Sequence, residues 1–273
     1  MTEAALPSGW PAMTIQQAHA LLGQPGLPTE VAEETIRGVT VKVWKNQPPT
    51  LRAVVELAKG FGDKVFLVYE DERVTFDAFH RAVAAFAAEL AGQGVGKGDR
   101  VAVIMRNVPE WVVAFYAAAS LGAIVTPLNA WWTGPELEYG LTDSGAKVAV
   151  MDAERYERLN EHFANCPDLK RVYVSREPDE IAHPYVVKLE SVLGGANDWA
   201  GLPDAALPTA DVGADDDATI FYTSGTTGRP KGALATNRAI NTNIITAGAA
   251  GARVFLRKGE MPPQPDPDAP QRS

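Results

Sequence analysis

The chain reads as an α/β protein, a mostly parallel sheet flanked by helices. Three observations predict this. From Val65 onward, short apolar and β-branched runs alternate with longer stretches whose apolar positions recur every three or four residues. Strands that alternate with helices in this way build parallel sheets covered on both faces. The composition supplies a core for such a sheet: 273 residues, 46% of them hydrophobic and 22% charged.

The elements follow in order. Residues 1–50 form an N-terminal extension without evident chemistry. In it Thr14 to Leu22 suits a short helix, the acidic stretch Thr29 to Arg37 admits another, and Val39 to Trp44 alternates as a strand does. Val65–Tyr69 and Arg73–Val74 read as a strand pair across the turn Glu70-Asp71-Glu72. Thr75 is placed to cap a helix whose apolar face is Phe76, Phe79, Val83, Phe86 and Leu90, stopped by Gly92 and Gly94. Val101–Met105 is a strand. Pro109 suits the first turn of the next helix and Gly122 its end, and Ala123–Leu128 is a further strand. Thr133-Gly-Pro-Glu136 is a capping box for a helix to about Asp143. Lys147–Asp152 (strand), Glu154–Ala164 (helix) and Val172–Ser175 (strand) follow. Residues 177–213 connect, with a helical piece near Lys188–Leu193. Ala218–Thr223 and Gly232–Thr236 are strands joined by a loop, and a helix starts near Asn237. From Gly259 the chain turns Pro- and Asp-rich, the composition of a loop or disordered tail.

The loop between the last two strands carries the chemistry. Tyr222-Thr-Ser-Gly-Thr-Thr-Gly-Arg-Pro-Lys-Gly232 gathers four hydroxyl side chains beyond Tyr222, three glycines and a lysine into eleven residues. Glycines bring backbone close to a ligand, and successive N–H groups form an anion-binding nest. Thr223, Ser224, Thr226 and Thr227 add O–H donors, and Lys231 adds a mobile positive charge. The Walker pattern G-x-x-x-x-G-K-[ST] is not met, because Arg229-Pro230 separates Gly228 from Lys231 and Gly232 stands where Ser or Thr belongs.

This string closely resembles the signature loop of the AMP-forming acid ligases, aromatic-Thr-Ser-Gly-Ser/Thr-Thr-Gly-x-Pro-Lys-Gly, and meets each of its positions. That superfamily includes acyl-CoA synthetases, the adenylation domains of peptide synthetases and luciferases. Thr75-Phe76, Gly98-Asp-Arg-Val-Ala102, Asn107-Val-Pro-Glu-Trp111, Leu121-Gly-Ala-Ile-Val-Thr-Pro-Leu-Asn129 and Asp143-Ser-Gly-Ala-Lys147 follow in the family order, over roughly residues 50–250. Within the superfamily, Pro127-Leu-Asn129 looks most like fatty-acid or other carboxylic-acid CoA ligases.

The resemblance implies a fold, the N-terminal portion of the adenylate-forming ligase large domain. It also implies a partial AMP-binding domain over 51–258, after the extension 1–50 and before the tail 259–273. The implied reaction joins a carboxylic acid, a fatty acid by preference, to ATP as an acyl adenylate, and then passes the acyl group to coenzyme A. Thr223, Ser224, Gly225, Thr226, Thr227 and Gly228 would cradle the ATP phosphates, Lys231 would neutralise them and Mg²⁺ would bridge their oxygens. Family members are much longer. Their later motifs for adenine, ribose and the adenylation lysine do not occur here, so no catalytic residue and no metal ligand is assigned, and the chain is expected to be inactive alone. Two alternatives stay open, an amino-acid adenylation domain and a non-catalytic nucleotide-binding remnant.

Other classes fit poorly. The net charge of −9, without a basic run, argues against nonspecific nucleic-acid binding. Cys166 is the only cysteine, so no intrachain disulfide forms, in keeping with a cytoplasmic location. No basic region precedes an apolar core at the N-terminus, so no secretory signal is expected. Val112–Leu128 is apolar but short of a membrane span and interrupted by Ser120, Gly122, Thr126 and Pro127. Peripheral contact with a membrane stays open. His19, His80, His162 and His183 lack metal-ligand spacing, and Asp215-Asp-Asp217 reads as a solvated run ahead of a strand. Gly-x-Ser-x-Gly is absent, and Gly92-Gln-Gly94-Val-Gly96 ends a helix where a dinucleotide loop would follow a strand. Trp131-Trp132 is expected to pack where the chain enters its capped helix, ahead of lining an acyl pocket.

Overall fold

The computed structural model describes residues 9–177, 179–181, 183–223 and 228–263. They form two compact units, residues 50–237 and, separately, residues 9–49 with 238–263.

The smaller unit begins with helix α1 (Ile15–Leu22), whose capping box works in both directions. The Thr14 hydroxyl accepts from the Gln17 amide, and the Gln17 side chain accepts from the Thr14 amide. Strands β1 (Val31–Ile36) and β2 (Val39–Trp44) pair antiparallel, Ile36 opposite Val39. The helix that the sequence admitted over Thr29–Arg37 is therefore replaced by β1. The physical reason is the two-residue turn. Arg37 and Gly38 both have positive φ (50° and 81°), the twist that suits a tight hairpin, and the β-branched residues on either side pair across it.

In the larger unit, helix α2 (Leu51–Ala58) precedes the hairpin β3 (Val65–Tyr69) and β4 (Glu72–Thr75), which turns where expected. Thr75 caps α3 (Phe76–Gly92) by accepting from the Ala78 amide at 3.1 Å. Phe79, Val83, Phe86 and Leu90 are buried, as their spacing predicts.

The chain then alternates through β5 (Arg100–Ile104), α4 (Pro109–Ser120), β6 (Ile124–Pro127), α5 (Gly134–Ser144), β7 (Ala146–Asp152), α6 (Ala153–Leu159) and β8 (Arg171–Ser175). The helix expected to reach Ala164 tightens to a 3₁₀ turn over Asn160–Asn165. Strand β9 (Val186–Lys188), helix α7 (Glu190–Leu193) and a 3₁₀ turn over Ala196–Gly201 fill the connection. Of these, β9 and the 3₁₀ turn carry no periodicity a sequence reading would detect. Strands β10 (Asp217–Thr223) and β11 (Lys231–Thr236) form the last hairpin, and α8 (Asn237–Lys258) leads out of it.

The sheet order is β11-β10-β6-β5-β7-β8-β9, every neighbour parallel except β10 with β11. Both faces are covered, which is why the central strands are apolar throughout. On one face Ala102, Ile104, Ala149, Met151, Val172 and Val174 join Leu137, Leu141 and Leu159 in a buried cluster. On the other, Phe86 of α3 meets Tyr173 of β8 edge-on at 5.1 Å. The apolar run Val112–Leu128 divides into α4 and β6, and among the described residues no helix is long and apolar enough to cross a membrane.

Candidate functional site

The carboxyl ends of parallel strands in an open α/β sheet gather ligand sites, and register fixes what lies there in this chain. Thr219 of β10 is level with Val125 of β6, so four residues further along Thr223 is level with Asn129. By the same count Met105 after β5 stands beside Asn129, and Ile104 pairs with Met151, so Met105 is beside Asp152. The root of the glycine-rich loop and the loops after β5, β6 and β7 therefore line one edge.

Thr223 and Lys231 face each other at the loop end of the β10–β11 hairpin. Both are exposed, and the Thr223 hydroxyl reaches the Lys231 carbonyl at 3.5 Å. Among the described residues Lys231 has no carboxylate partner. Gly228 has φ +111°, which a side chain would strain. Ser224, Gly225, Thr226 and Thr227 lie outside the described residues. The loop thus joins two strands, as its sequence context required.

The two roots of the loop are tied. The Tyr222 hydroxyl donates to the Asp143 carboxylate at 2.7 Å, and the Tyr139 hydroxyl donates to the Pro230 carbonyl at 3.0 Å. Burial, with the Asp143 carboxylate second, pushes the Tyr222 phenol well above its ordinary range, so it stays a donor. The Arg229 guanidinium lies 5.1 Å above the Tyr139 ring.

At the same edge of the sheet is a cleft of about 690 Å³ lined by Tyr69, Met105, Arg106, Asn107, Asn129, Ala130 and Trp131. Here the expectation for the tryptophan pair divides. Trp132 packs against the buried cluster, as expected, whereas Trp131 is 65% exposed. The reason is the tight turn after β6, where the Asn129 side chain accepts from the Trp131 amide at 2.9 Å and sends the two rings different ways. The Arg106 guanidinium stacks 4.1 Å from the Trp131 ring centroid.

Behind the cleft Arg155, 1% exposed, donates to the Ala130 carbonyl at 2.9 Å and to both Asp152 oxygens at 3.2 Å. Asp152 in turn accepts from the Arg106 amide at 3.0 Å. One buried ion pair therefore fixes the loops that follow β5, β6 and β7. Next to the cleft's Tyr69, Arg176 lies 4.9 Å over that ring and bridges Glu72 and Glu110 at 2.8 and 2.9 Å. Burial raises the Glu110 carboxyl above its ordinary value, against the pull of Arg176.

Sequence reasoning found the glycine-rich loop and missed Arg106, Asp152 and Arg155. The available signal was position, since Arg106 and Asp152 fall where strands β5 and β7 end. Asp216, within the acidic run, is taken up by Lys97 at 2.6 Å and by the Gly213 amide at 2.6 Å, which fits a solvated ion pair.

The chain is similar to known proteins over most of its length. The family model described as AMP-binding enzyme matches residues 54–259. A long-chain-fatty-acid–CoA ligase of Mycobacterium tuberculosis is 32% identical over 181 residues, covering 63% of this chain and 31% of the ligase. An acetyl-coenzyme A synthetase of Sodalis glossinidius is 33% identical, covering 64% of this chain and 29% of the synthetase. The crystal structure of the anthranilate CoA ligase AuaEII with anthranoyl-AMP superposes with a TM-score of 0.60 at 26% identity, over 69% of this chain and 35% of that one. The chain thus spans about a third of the length of the curated relatives it matches.

Proposed function

Because the chain belongs to the AMP-binding enzyme family, we propose that it carries the ATP-phosphate-binding part of an acid–CoA ligase. Such an enzyme activates a carboxylic acid with ATP to an acyl adenylate and then forms an acyl-CoA thioester. The observation that carries this reading is the loop rooted at Thr223 and Lys231, set on the carboxyl edge of a parallel sheet that also carries an open cleft.

The chemistry follows from charge. When a carboxylate attacks the α-phosphorus of ATP, negative charge grows on the departing pyrophosphate. Donors already in place for that charge lower the barrier. The amides and hydroxyls of Thr223, Ser224, Gly225, Thr226, Thr227 and Gly228 are assigned to the phosphates, and Lys231 to their charge. Hydroxyls, amides and a lysine form the donor set of a phosphate site and offer no carboxylate to a metal, so Mg²⁺ would be brought by the nucleotide and would offset part of the phosphate charge. No residue of this chain is assigned to proton transfer or to the adenylation step itself.

The cleft suits the nucleotide end of coenzyme A. An indole face open to solvent, with a guanidinium stacked on it, offers a platform for a purine and a charge for phosphate. Trp131→Ala is expected to weaken CoA binding about tenfold, the scale of one lost base–aromatic stack. The check is a calorimetric CoA titration, and unchanged affinity removes the cleft from this role.

The acid is a fatty acid in the preferred reading, though the relatives are named for acids from acetate to long-chain fatty acids. An amino-acid adenylation domain is the alternative within the superfamily, and a nucleotide-binding module without catalysis is the alternative outside it. The proposed location is the cytoplasm, where ATP and CoA are found. The deciding experiment is acid-dependent ATP–pyrophosphate exchange together with ATP binding. Exchange with fatty acids supports the ligase, and exchange with amino acids selects the adenylation domain. Binding without exchange is the outcome that the inactive ligase part and the non-catalytic module share, and no binding removes all three.

A further inference from the structure

A glycine-rich loop binds phosphate well only if its roots are held, because ordering each residue on binding costs free energy. In this chain both roots are held from one place. Tyr139 and Asp143 are four residues apart on α5 and so share a helix face. Asp143 takes the hydroxyl of Tyr222, the residue before the loop's Thr223, at 2.7 Å. Tyr139 takes the carbonyl of Pro230, the residue before Lys231, at 3.0 Å, while its ring sits under Arg229.

The attachment is built for stiffness. The Tyr222 ring stands edge-on to Trp132 at 5.8 Å and to Tyr139 at 6.3 Å. Between Tyr139 and Asp143 lies Gly140, where an added Cβ would come within 2.9 Å of Leu128 and 3.1 Å of Trp132. Helix α5 is therefore seated close against the residues that support the loop. Its own ends are fixed by the Thr133–Glu136 capping box and by Gly145 in the left-handed conformation. Among the described residues strand β11 is the outermost of the sheet and pairs only with β10, so the sheet steadies the exit limb from one side alone.

We propose that Tyr139 and Asp143 are positioning residues for the phosphate loop, fixing its entry at Tyr222 and its exit at Arg229-Pro230 from one face of α5. They act through Tyr222, Arg229 and Pro230 and touch no ligand. The proposal rests on the phosphate-binding reading of the loop and deepens it.

The test uses the full chain and inorganic tripolyphosphate as probe, so that contacts to base and ribose do not enter. Tyr139→Phe keeps the ring, loses one hydrogen bond and is expected to weaken binding about fivefold. Asp143→Ala is expected to weaken it about tenfold, and Asp143→Asn, which still offers Tyr222 an acceptor, to stay within about twofold of the parent. Unfolding temperatures without ligand should match the parent for Tyr139→Phe and Asp143→Asn. If both Tyr139→Phe and Asp143→Ala bind as the parent does while Lys231→Ala does not, the positioning role is overturned and the phosphate reading stands. If Asp143→Asn binds as poorly as Asp143→Ala, the hydrogen bond to Tyr222 is not the device and the proposal falls. If the parent itself, or Lys231→Ala relative to it, shows no phosphate dependence, the phosphate reading fails and takes the proposal with it.

Discussion

Replacing Lys231 by alanine is expected to lower ATP affinity by roughly tenfold to a hundredfold, the range of one lost charge-assisted hydrogen bond. The fold should not notice. Lys231 is exposed at the first position of β11, and among the described residues no carboxylate depends on it. Thermal unfolding without nucleotide should therefore be unchanged, while nucleotide-induced stabilisation shrinks. Ionic strength gives a second reading. Part of the parent's affinity is screened Coulomb attraction, so raising salt should cost the parent more than the alanine variant. Lys231→Arg keeps the charge but not the compact ammonium, and should recover only part of the loss. A well-folded Lys231→Ala protein with the parent's ATP affinity removes Lys231 from the phosphate site.

That prediction came from the sequence because the loop's chemistry is local: hydroxyls, glycines and a lysine in one short string need no partner from elsewhere to be recognised. The helix caps at Thr75 and Thr133 were legible for the same reason, and the cap at Thr14 came only with the structure. Thr14, Thr75 and Thr133 each act within three residues of themselves. The rest of the site is a product of register. Arg106, Asn129 and Asp152 are far apart in the chain and adjacent only because β5, β6 and β7 run parallel and end level. Tyr139 reads as an ordinary residue of an amphipathic helix and Asp143 as the start of a segment in the family order, and nothing in their spacing says that β10 and β11 will lie beside them. The segment Val31–Ile36 was ambiguous for a different reason. Its two glutamates suit a helix, and only the hairpin turn at Arg37-Gly38 decides against one. The two tryptophans could not be told apart by composition, since the turn at Asn129 sends one inward and leaves the other open.

Arg155→Ala is expected to be the most destabilising of these substitutions, at about 3 kcal/mol. Removing one partner of a buried ion pair costs roughly 3–5 kcal/mol, because the other charge is left without compensation. The geometry places this case at the low end of that range. Asp152 would lose the guanidinium that meets both its oxygens at 3.2 Å, yet it keeps the Arg106 amide at 3.0 Å and the residue 155 amide at 3.2 Å. The Ala130 carbonyl would lose Arg155 but keep Arg158 at 3.2 Å. One guanidinium nitrogen of Arg155 is buried without a partner among the described residues, so its removal also relieves a small existing cost. Against a typical domain stability of about 5–15 kcal/mol, a loss of this size should shift the denaturation midpoint plainly. Lys59→Ala supplies the contrast. Its bond to Asp204 joins side chains 44% and 49% exposed, and such pairs contribute about 0–1 kcal/mol. Because Arg155 anchors the Ala130 carbonyl next to Trp131, the Arg155 variant should also lose CoA affinity in denaturant-free buffer, and Lys59→Ala should not. Equal midpoints for the two variants would mean that the buried pair contributes no more than an exposed one, and that the cleft's loops are held by something other than Asp152 and Arg155.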